Sequence, residues 1–301
     1  LEATEAPFSA AASAYAGVML APEREAETAP AFLRELGHAG VAAWRAAYPQ
    51  LLCNGSLVVA GARDQSELDR FAQRTYGHSR LDERHIEELE PDLAQRFSSA
   101  LYFAGEAHMP VLSALSFMLD AARSAGADIV FGQGSLPEPT DVVVDCRGIQ
   151  ARELLPGLRG VRGERIVVRS REIDLRRPVQ LLHPRHAFYI VPWGGGVHLI
   201  GATVLETDDD KPITVRSALE LLGAAYALHP AFAEAEVIEQ GAGVRPAFLD
   251  NVPRAVVRSG GRLILVNGAY RHGFLLAPVL ASTVANYLDS RAEGPLLQIE
   301  D

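Results

Sequence analysis

Between residues 263 and 288 the chain reads LILVNGAYRHGFLLAPVLASTVANYL. An apolar, strand-like run stops at Asn267-Gly268, then Tyr270, Arg271 and His272 intervene, and from Gly273 an apolar, alanine-rich helix pattern begins. A strand feeding directly into a helix is the unit of α/β lobes that bind nucleotides. The first N–H groups of such a helix already carry partial positive charge, and Arg271 adds a full one, making an electropositive pocket floor. The alternative is that Arg271 pairs with a surface carboxylate.

The remaining chain alternates in the same manner. Helical periodicity covers 31–48, between Pro30 and Pro49; DQSELDRFAQRTYGH, closed at Gly77; DERHIEELEPDL, ended before Pro91; 111–124, ended at Gly126; and 214–230. Strand-like runs are GSLVVAG (55–61), SALYFAG (99–105), ADIVFG and DVVVDCRG, the last ending in Gly148, then ERIVVRS, HAFYIVPW, GGVHLIGATV and EVIEQGAGVRPA. The expected fold class is α/β with an α+β second lobe: a Rossmann-like nucleotide-binding lobe interleaved with a lobe built on an antiparallel sheet. The expected division is 1–22, 106–160 and 239–301 for the first, and 23–105 and 161–238 for the second.

Bulk properties narrow the function. With 301 residues, 48% of them apolar, the chain can bury a sizeable core. A net charge of −10 and the lack of any basic run exclude a nucleic-acid track, which leaves small molecules as partners. Cys53 and Cys146 lie far apart without CxxC spacing, as expected of a reducing cytoplasm and not of a disulfide framework or cysteine zinc site. No apolar run approaches a membrane span, and the first residues lack the order of a signal peptide. The nine histidines form no HExxH or His-x-His cluster, so no metal site is expected; Ser116 and Ser282 lack a GxSxG elbow. TDDDK (207–211) reads as a solvated turn, and neither GLRGVRG nor GAGVRP completes GxGxxG.

Two further segments carry chemistry. In GAGVRPAFLDNVP (241–253), Arg245 stands between a glycine-rich strand end and Pro246, on a backbone held tightly enough to aim a fork that grips carboxylates. A loop arginine in solvent is the bland reading. HAFYIVPWGGGVHLIGAT (186–203) reads as a hairpin turning at Trp193 to Gly196, with Tyr189 able to offer a phenol to the same anion or to serve as a core residue.

Together these segments resemble the FAD-dependent glycine oxidases of thiamine biosynthesis, within the D-amino-acid oxidase family. The likeness runs through AGVMLAP, VVDCRG, LRGVRGE, LLHPRHAFYIVP, IGATVLETDD, TVRSALELLGAAYALHPAF, GAGVRPAF and NGAYRHGFLLAPV, in one order. It implies that Arg245 holds the substrate carboxylate, assisted by Arg271 and Tyr189. It also implies FAD contacts at Glu2, Met19, Gly148, Gly243, Gly273, Phe274 and Leu275, with Val18 standing where glycine is usual. The clamp would leave the substrate Cα–H facing flavin N5, so hydride transfer needs no general base beyond a neutral amine. The imine would hydrolyse to a keto acid and ammonia, and oxygen would return as hydrogen peroxide.

One departure accompanies the likeness. The family begins with a strand, a GxGxxG turn and a helix, whereas this chain starts at LEATEAP, resembling the end of the second strand. Losing a central strand would expose two sheet edges, so a trimmed N-terminus is expected over a natural short form. The leading substrates are glycine and N-substituted glycines such as sarcosine or iminodiacetate. His272 and Arg185 are candidates for meeting a second carboxylate, with surface exposure as their alternative. The other readings are a dehydrogenase of the same fold using another electron acceptor, and a non-catalytic amino-acid-binding protein. Expected partners are a small amino acid or amine, oxygen, and further copies of the chain in a homo-oligomer, with no nucleic acid and no membrane.

Overall fold

A computed structural model of the chain describes residues 7–9, 11–25, 27, 29–132, 142–183 and 188–300. Two larger sheets organise them, beside a two-stranded pair of Met19–Leu20 with Ala107–His108. The larger has eight strands, in the order Glu236–Ala247, Arg159–Arg169, Val197–Gly201, Phe188–Gly194, Val179–Leu182, Ser56–Ala60, Ser99–Phe103 and Ser79–Asp82. Every neighbouring pair is antiparallel except Ser56–Ala60 with Val179–Leu182, which runs parallel. The sheet is therefore mixed and not purely antiparallel. The parallel joint falls where two segments distant in sequence meet, and there no hairpin dictates direction.

Alternation along these strands decides what each face does. Leu57, Val59, Ile166, Val168, Phe188, Ile190 and Ile200 pack against Leu221, Ala224, Ala225 and Leu228 of the helix Val215–Leu228. Thr214 caps that helix by accepting from the Ser217 N–H at 3.2 Å. On the far strands, Val58, Leu101 and Phe103 pack against Leu68 and Phe71 of the helix Gln65–Arg74. This helix stops at Thr75, whose hydroxyl donates to the Phe71 carbonyl, and not at Gly77 as the sequence suggested. The opposite face of the larger sheet carries Val167, Val191, Leu199 and Tyr189, with Met19 packed on it.

The smaller sheet runs Leu297–Ile299, Arg254–Arg258, Leu263–Asn267, Val143–Asp145. Its last two strands are parallel, with Leu265 opposite Asp145. The final helix, Gly273–Ser290, lays Val284 and Tyr287 on Ala255, Val257 and Ile264. ADIVFG does not form the expected strand: residues 127–130 carry no ladder and Phe131 makes only an isolated bridge. A short apolar run becomes a strand only when the tertiary fold supplies a neighbour to pair with.

The start of the final helix is fixed by a close crossing with the helix Ala31–Ala47. Trp44 Nε1 donates to the Phe274 carbonyl at 2.6 Å and its ring stacks on Phe274. Gly40 permits the approach, since a Cβ there would lie 1.9 Å from the Leu275 carbonyl oxygen. Glycine-to-alanine substitution should therefore have opposite signs at two helical sites. Gly40→Ala is expected to destabilise by about 1–3 kcal/mol through overpacking. Gly223→Ala, on the exposed face of Val215–Leu228 with nothing within 4 Å of the new methyl, should stabilise by about 0.5–1 kcal/mol. Urea unfolding midpoints check both.

Candidate active site at the strand ends

The parallel strands Val143–Asp145 and Leu263–Asn267 end side by side, and three segments converge just beyond them. Asn267 Nδ2 donates to the Gly148 carbonyl at 2.7 Å, tying the two strand ends together. Gly148 and Gly268 both have positive φ, at 63° and 77°, and a Cβ at Gly268 would collide with the Phe248 ring at 2.2 Å. The third segment is the end of Glu236–Ala247: Ala247 bridges Ala269, and the Tyr270 N–H donates to the Pro246 carbonyl at 2.9 Å. The turn carrying Arg271 is thus stitched to the strand carrying Arg245.

Arg245 is a strand residue opposite Val161, not a loop arginine in solvent. Its guanidinium lies flat over Gly163, where any Cβ would sit 2.0 Å away, and its Nη1 donates to the Thr203 carbonyl at 3.3 Å. Burial, with Arg271 nearby, lowers its pKa, while Tyr189, Tyr270 and Glu25 act in the opposite sense. Cross-strand register, Tyr189 opposite Gly201, Gly201 opposite Arg165, and Val161 opposite Arg245, sets Tyr189 and Arg245 on one face of the larger sheet. Gly17 and Gly201 leave room for the tyrosine, since a Cβ at Gly17 would touch its ring at 2.6 Å.

Arg271 extends from its turn to Glu25, with Nη2 3.5 Å from Oε1. That carboxylate raises the guanidinium's pKa against the cost of burial. Glu25 also faces His272, Oε2 to Nδ1 being 3.4 Å. Burial would lift the Glu25 pKa, but Arg271, His272, Arg24 and Arg245 together hold it below the usual carboxylate range. His272 is 4% exposed, so the surface alternative for it fails; burial, together with Arg271, keeps its imidazole below the ordinary value in spite of Glu25. Arg185, the other candidate for a second carboxylate, lies outside the described residues, as does Glu2.

Glu25 ends a four-residue helix, Pro22–Glu25, that a buried ion pair anchors. Arg24 Nε meets Glu106 Oε2 at 2.7 Å, the Arg24 N–H meets Oε1 at 3.1 Å, and the Ser56 hydroxyl donates to the same carboxylate. Arg24 Nη2 lies 3.1 Å from the sulfur of Met19. Met19 pairs with His108, and Val18 before it is buried with φ 45°, a backbone that glycine adopts freely and a β-branched residue does not. Gly243 lies beneath the turn Ala12–Tyr15, a Cβ there meeting Ala12 Cα at 3.2 Å. Gly273, Phe274 and Leu275 form the first turn of the final helix, where no carbonyl of the helix itself can accept their N–H groups.

These placements fit a flavin. The crevice outside the carboxyl ends of parallel strands is where α/β sheets take dinucleotides. Here it is bordered by two positive-φ glycines and by first-turn N–H donors suited to an electron-rich ring edge. A cavity of about 430 Å³ lined by Leu52, Asp92, His108, Asp174 and Arg176 holds none of Arg245, Arg271, Tyr189, Glu25 and His272. Sequence reasoning missed Glu25, which sits in an acidic run, EREAE, that reads as solvated surface. It also gave Tyr270 no part, although Tyr270 adjoins Arg271.

Fold and site define an FAD-dependent oxidoreductase. The chain belongs to the DAO family, FAD dependent oxidoreductase, which matches residues 1–287. A Rhizobium etli protein assigned to thiamine biosynthesis as the oxidoreductase ThiO is 52% identical over 283 residues, covering 93% of this chain and 85% of that one. Glycine oxidase of Geobacillus kaustophilus is 29% identical over 227 residues, 68% of this chain and 60% of its own. The crystal structure of the glycine oxidase from that organism superposes with a TM-score of 0.80 at 24% identity, covering 98% of this chain and 88% of that one. Iminodiacetate oxidase from Chelativorans sp. BNC1 gives 0.79 at 21% identity, covering 98% and 91%. At those identities the structural likeness is one of fold.

The residue paired with Met19 supplies a pH test. His108 is fully buried with neither ring nitrogen hydrogen-bonded among the described residues, and burial pushes its pKa from 6.5 down to about 4. The unfolded chain then binds a proton that the folded one refuses. Its contribution to stability is present above pH 6.5 and is lost as pH falls toward 4, amounting to about 3 kcal/mol. His108→Gln should flatten the slope of stability against pH within that window, measured by urea unfolding at intervals of half a unit.

Proposed function

We propose that the protein oxidises a small α-amino acid, glycine or an N-substituted glycine such as sarcosine or iminodiacetate, at its Cα. The observation that supports this reading is the main-chain stitch between Pro246 and Tyr270, which joins the strand carrying Arg245 to the turn carrying Arg271. Arg245 and Arg271, with the Tyr189 hydroxyl, form a receptor for a carboxylate, which accepts paired N–H donors in a fixed plane. Each charge-assisted bond contributes about 1.5–3 kcal/mol. No side chain is assigned as acid or base.

FAD, when bound, supplies the acceptor for the hydride that leaves Cα. Met19, Gly148, Gly273, Phe274 and Leu275 are the residues that would hold its ring. The first-turn N–H groups then favour the negative charge that reduction adds, and Gly40 with Trp44 keeps that turn in place. In this reading the cofactor lobe comprises 1–22, 106–160 and 239–301. The imine product hydrolyses to an oxo acid and an amine, and dioxygen takes up the electrons as hydrogen peroxide. The names of the Rhizobium and Geobacillus relatives support the same chemistry.

The purified protein should be yellow, lose its colour on anaerobic addition of glycine, sarcosine or iminodiacetate, and release peroxide when air is admitted. A flavin that none of these amines bleaches would overturn the reading. Arg245→Ala should raise the KM for the carboxylate substrate about 30-fold, equivalent to about 2 kcal/mol, and leave the flavin spectrum in place. Unchanged kinetics would remove Arg245 from the site.

A further inference from the structure

Two arginines that attract a carboxylate repel the ammonium one bond further along an amino acid. At neutral pH such a substrate arrives with both charges, so a receptor made only of cations handles half of it. The structure sets a carboxylate at this point. Glu25 lies 3.5 Å from Arg271 and 3.4 Å from His272, and Arg245 also acts on its charge.

The way Glu25 is held differs from the other buried ion pairs. Arg24–Glu106, Arg162–Glu164 and Arg177–Glu90 close to 2.7, 2.7 and 2.8 Å, the range of charge-assisted hydrogen bonds. Glu25 stands well outside that range from both its neighbours. Its Oε2 is buried and, among the described residues, has no hydrogen-bond partner. A buried, ionised oxygen without a donor is a costly arrangement that a ligand donor relieves. The backbone beneath it does not drift, because the preceding residue is locked to Glu106, Gln180 and Met19.

We infer that Glu25 receives the nitrogen of the substrate, its free carboxylate oxygen accepting an N–H from the ammonium while Arg271 and Arg245 take the carboxylate. This rests on the carboxylate clamp proposed above and extends it to a receptor for the whole zwitterion. The ligand class is an α-amino acid that arrives as the ammonium, gives one proton to solvent before hydride leaves Cα, and still keeps an N–H for Glu25, so primary and secondary amines qualify. A carboxylic acid lacking the amine meets Glu25 as a repulsive neighbour. A role as plain counter-ion for Arg271 would give no such discrimination.

The test compares glycine with acetate, which differ by the amine alone, on the FAD-loaded protein. Acetate affinity is read from perturbation of the flavin absorbance, and glycine affinity from the concentration dependence of anaerobic flavin reduction in a stopped-flow instrument. In Glu25→Gln the dissociation constant for glycine should rise at least tenfold, while that for acetate stays constant or falls. Equal shifts for both ligands, or no shift for either, would overturn the inference and leave the clamp standing. If the unaltered protein binds neither ligand, the clamp itself fails and the inference goes with it. Should Glu25→Gln hold no flavin, Glu25→Asp, which retracts the charge by one methylene, decides by the same ratio.

Discussion

One main-chain hydrogen bond carries more consequence than any side-chain contact in this molecule. The Tyr270 N–H donates to the Pro246 carbonyl, beside the Ala247–Ala269 bridge, and so couples the outer strand of the eight-stranded sheet to the strand-to-helix turn of the four-stranded one. Arg245 is aimed by the first sheet and Arg271 by the second. Neither sheet alone carries both arginines. The two glycine turns at 148 and 268 and the Asn267–Gly148 bond complete the junction at the ends of the parallel strands.

Charge at this junction is balanced over short distances. Arg271 and His272 flank Glu25, Arg245 acts on its charge, and each is partly desolvated. The repulsion between the two guanidiniums is offset by one carboxylate, whose ionisation they in turn favour. The tight pair Arg24–Glu106 lies one residue away and holds the turn, leaving Glu25 itself loosely engaged. Rigid support beneath an under-coordinated group is the arrangement a ligand site requires.

Much of the architecture was legible because it depends on local periodicity. The helices 31–47, 111–124 and 215–228 carry apolar residues at helical spacing and begin or end at Pro30, Gly126 and Thr214. The hairpin through Trp193 to Gly196 turns on glycines at 195 and 196 with positive φ. ADIVFG failed because a strand needs a neighbour, which composition does not reveal. The parallel joint between Ser56–Ala60 and Val179–Leu182 escaped notice for a related reason: 118 residues separate the two strands, and nothing local sets their direction.

The sequence by itself determined the element types, the strand-turn-helix at 263–290 and the identity of Arg245, Arg271 and Tyr189 as anion-binding candidates, because propensity, turn chemistry and motif order are written in contiguous residues. Only the tertiary structure decided that the segments of Arg245 and Arg271 share one junction, that His272 is buried, and that Glu25 faces Arg271 and His272. Those facts arise from strand register and from backbone contacts across about 20 to 250 residues of chain, where spacing along the sequence carries no information about distance in space.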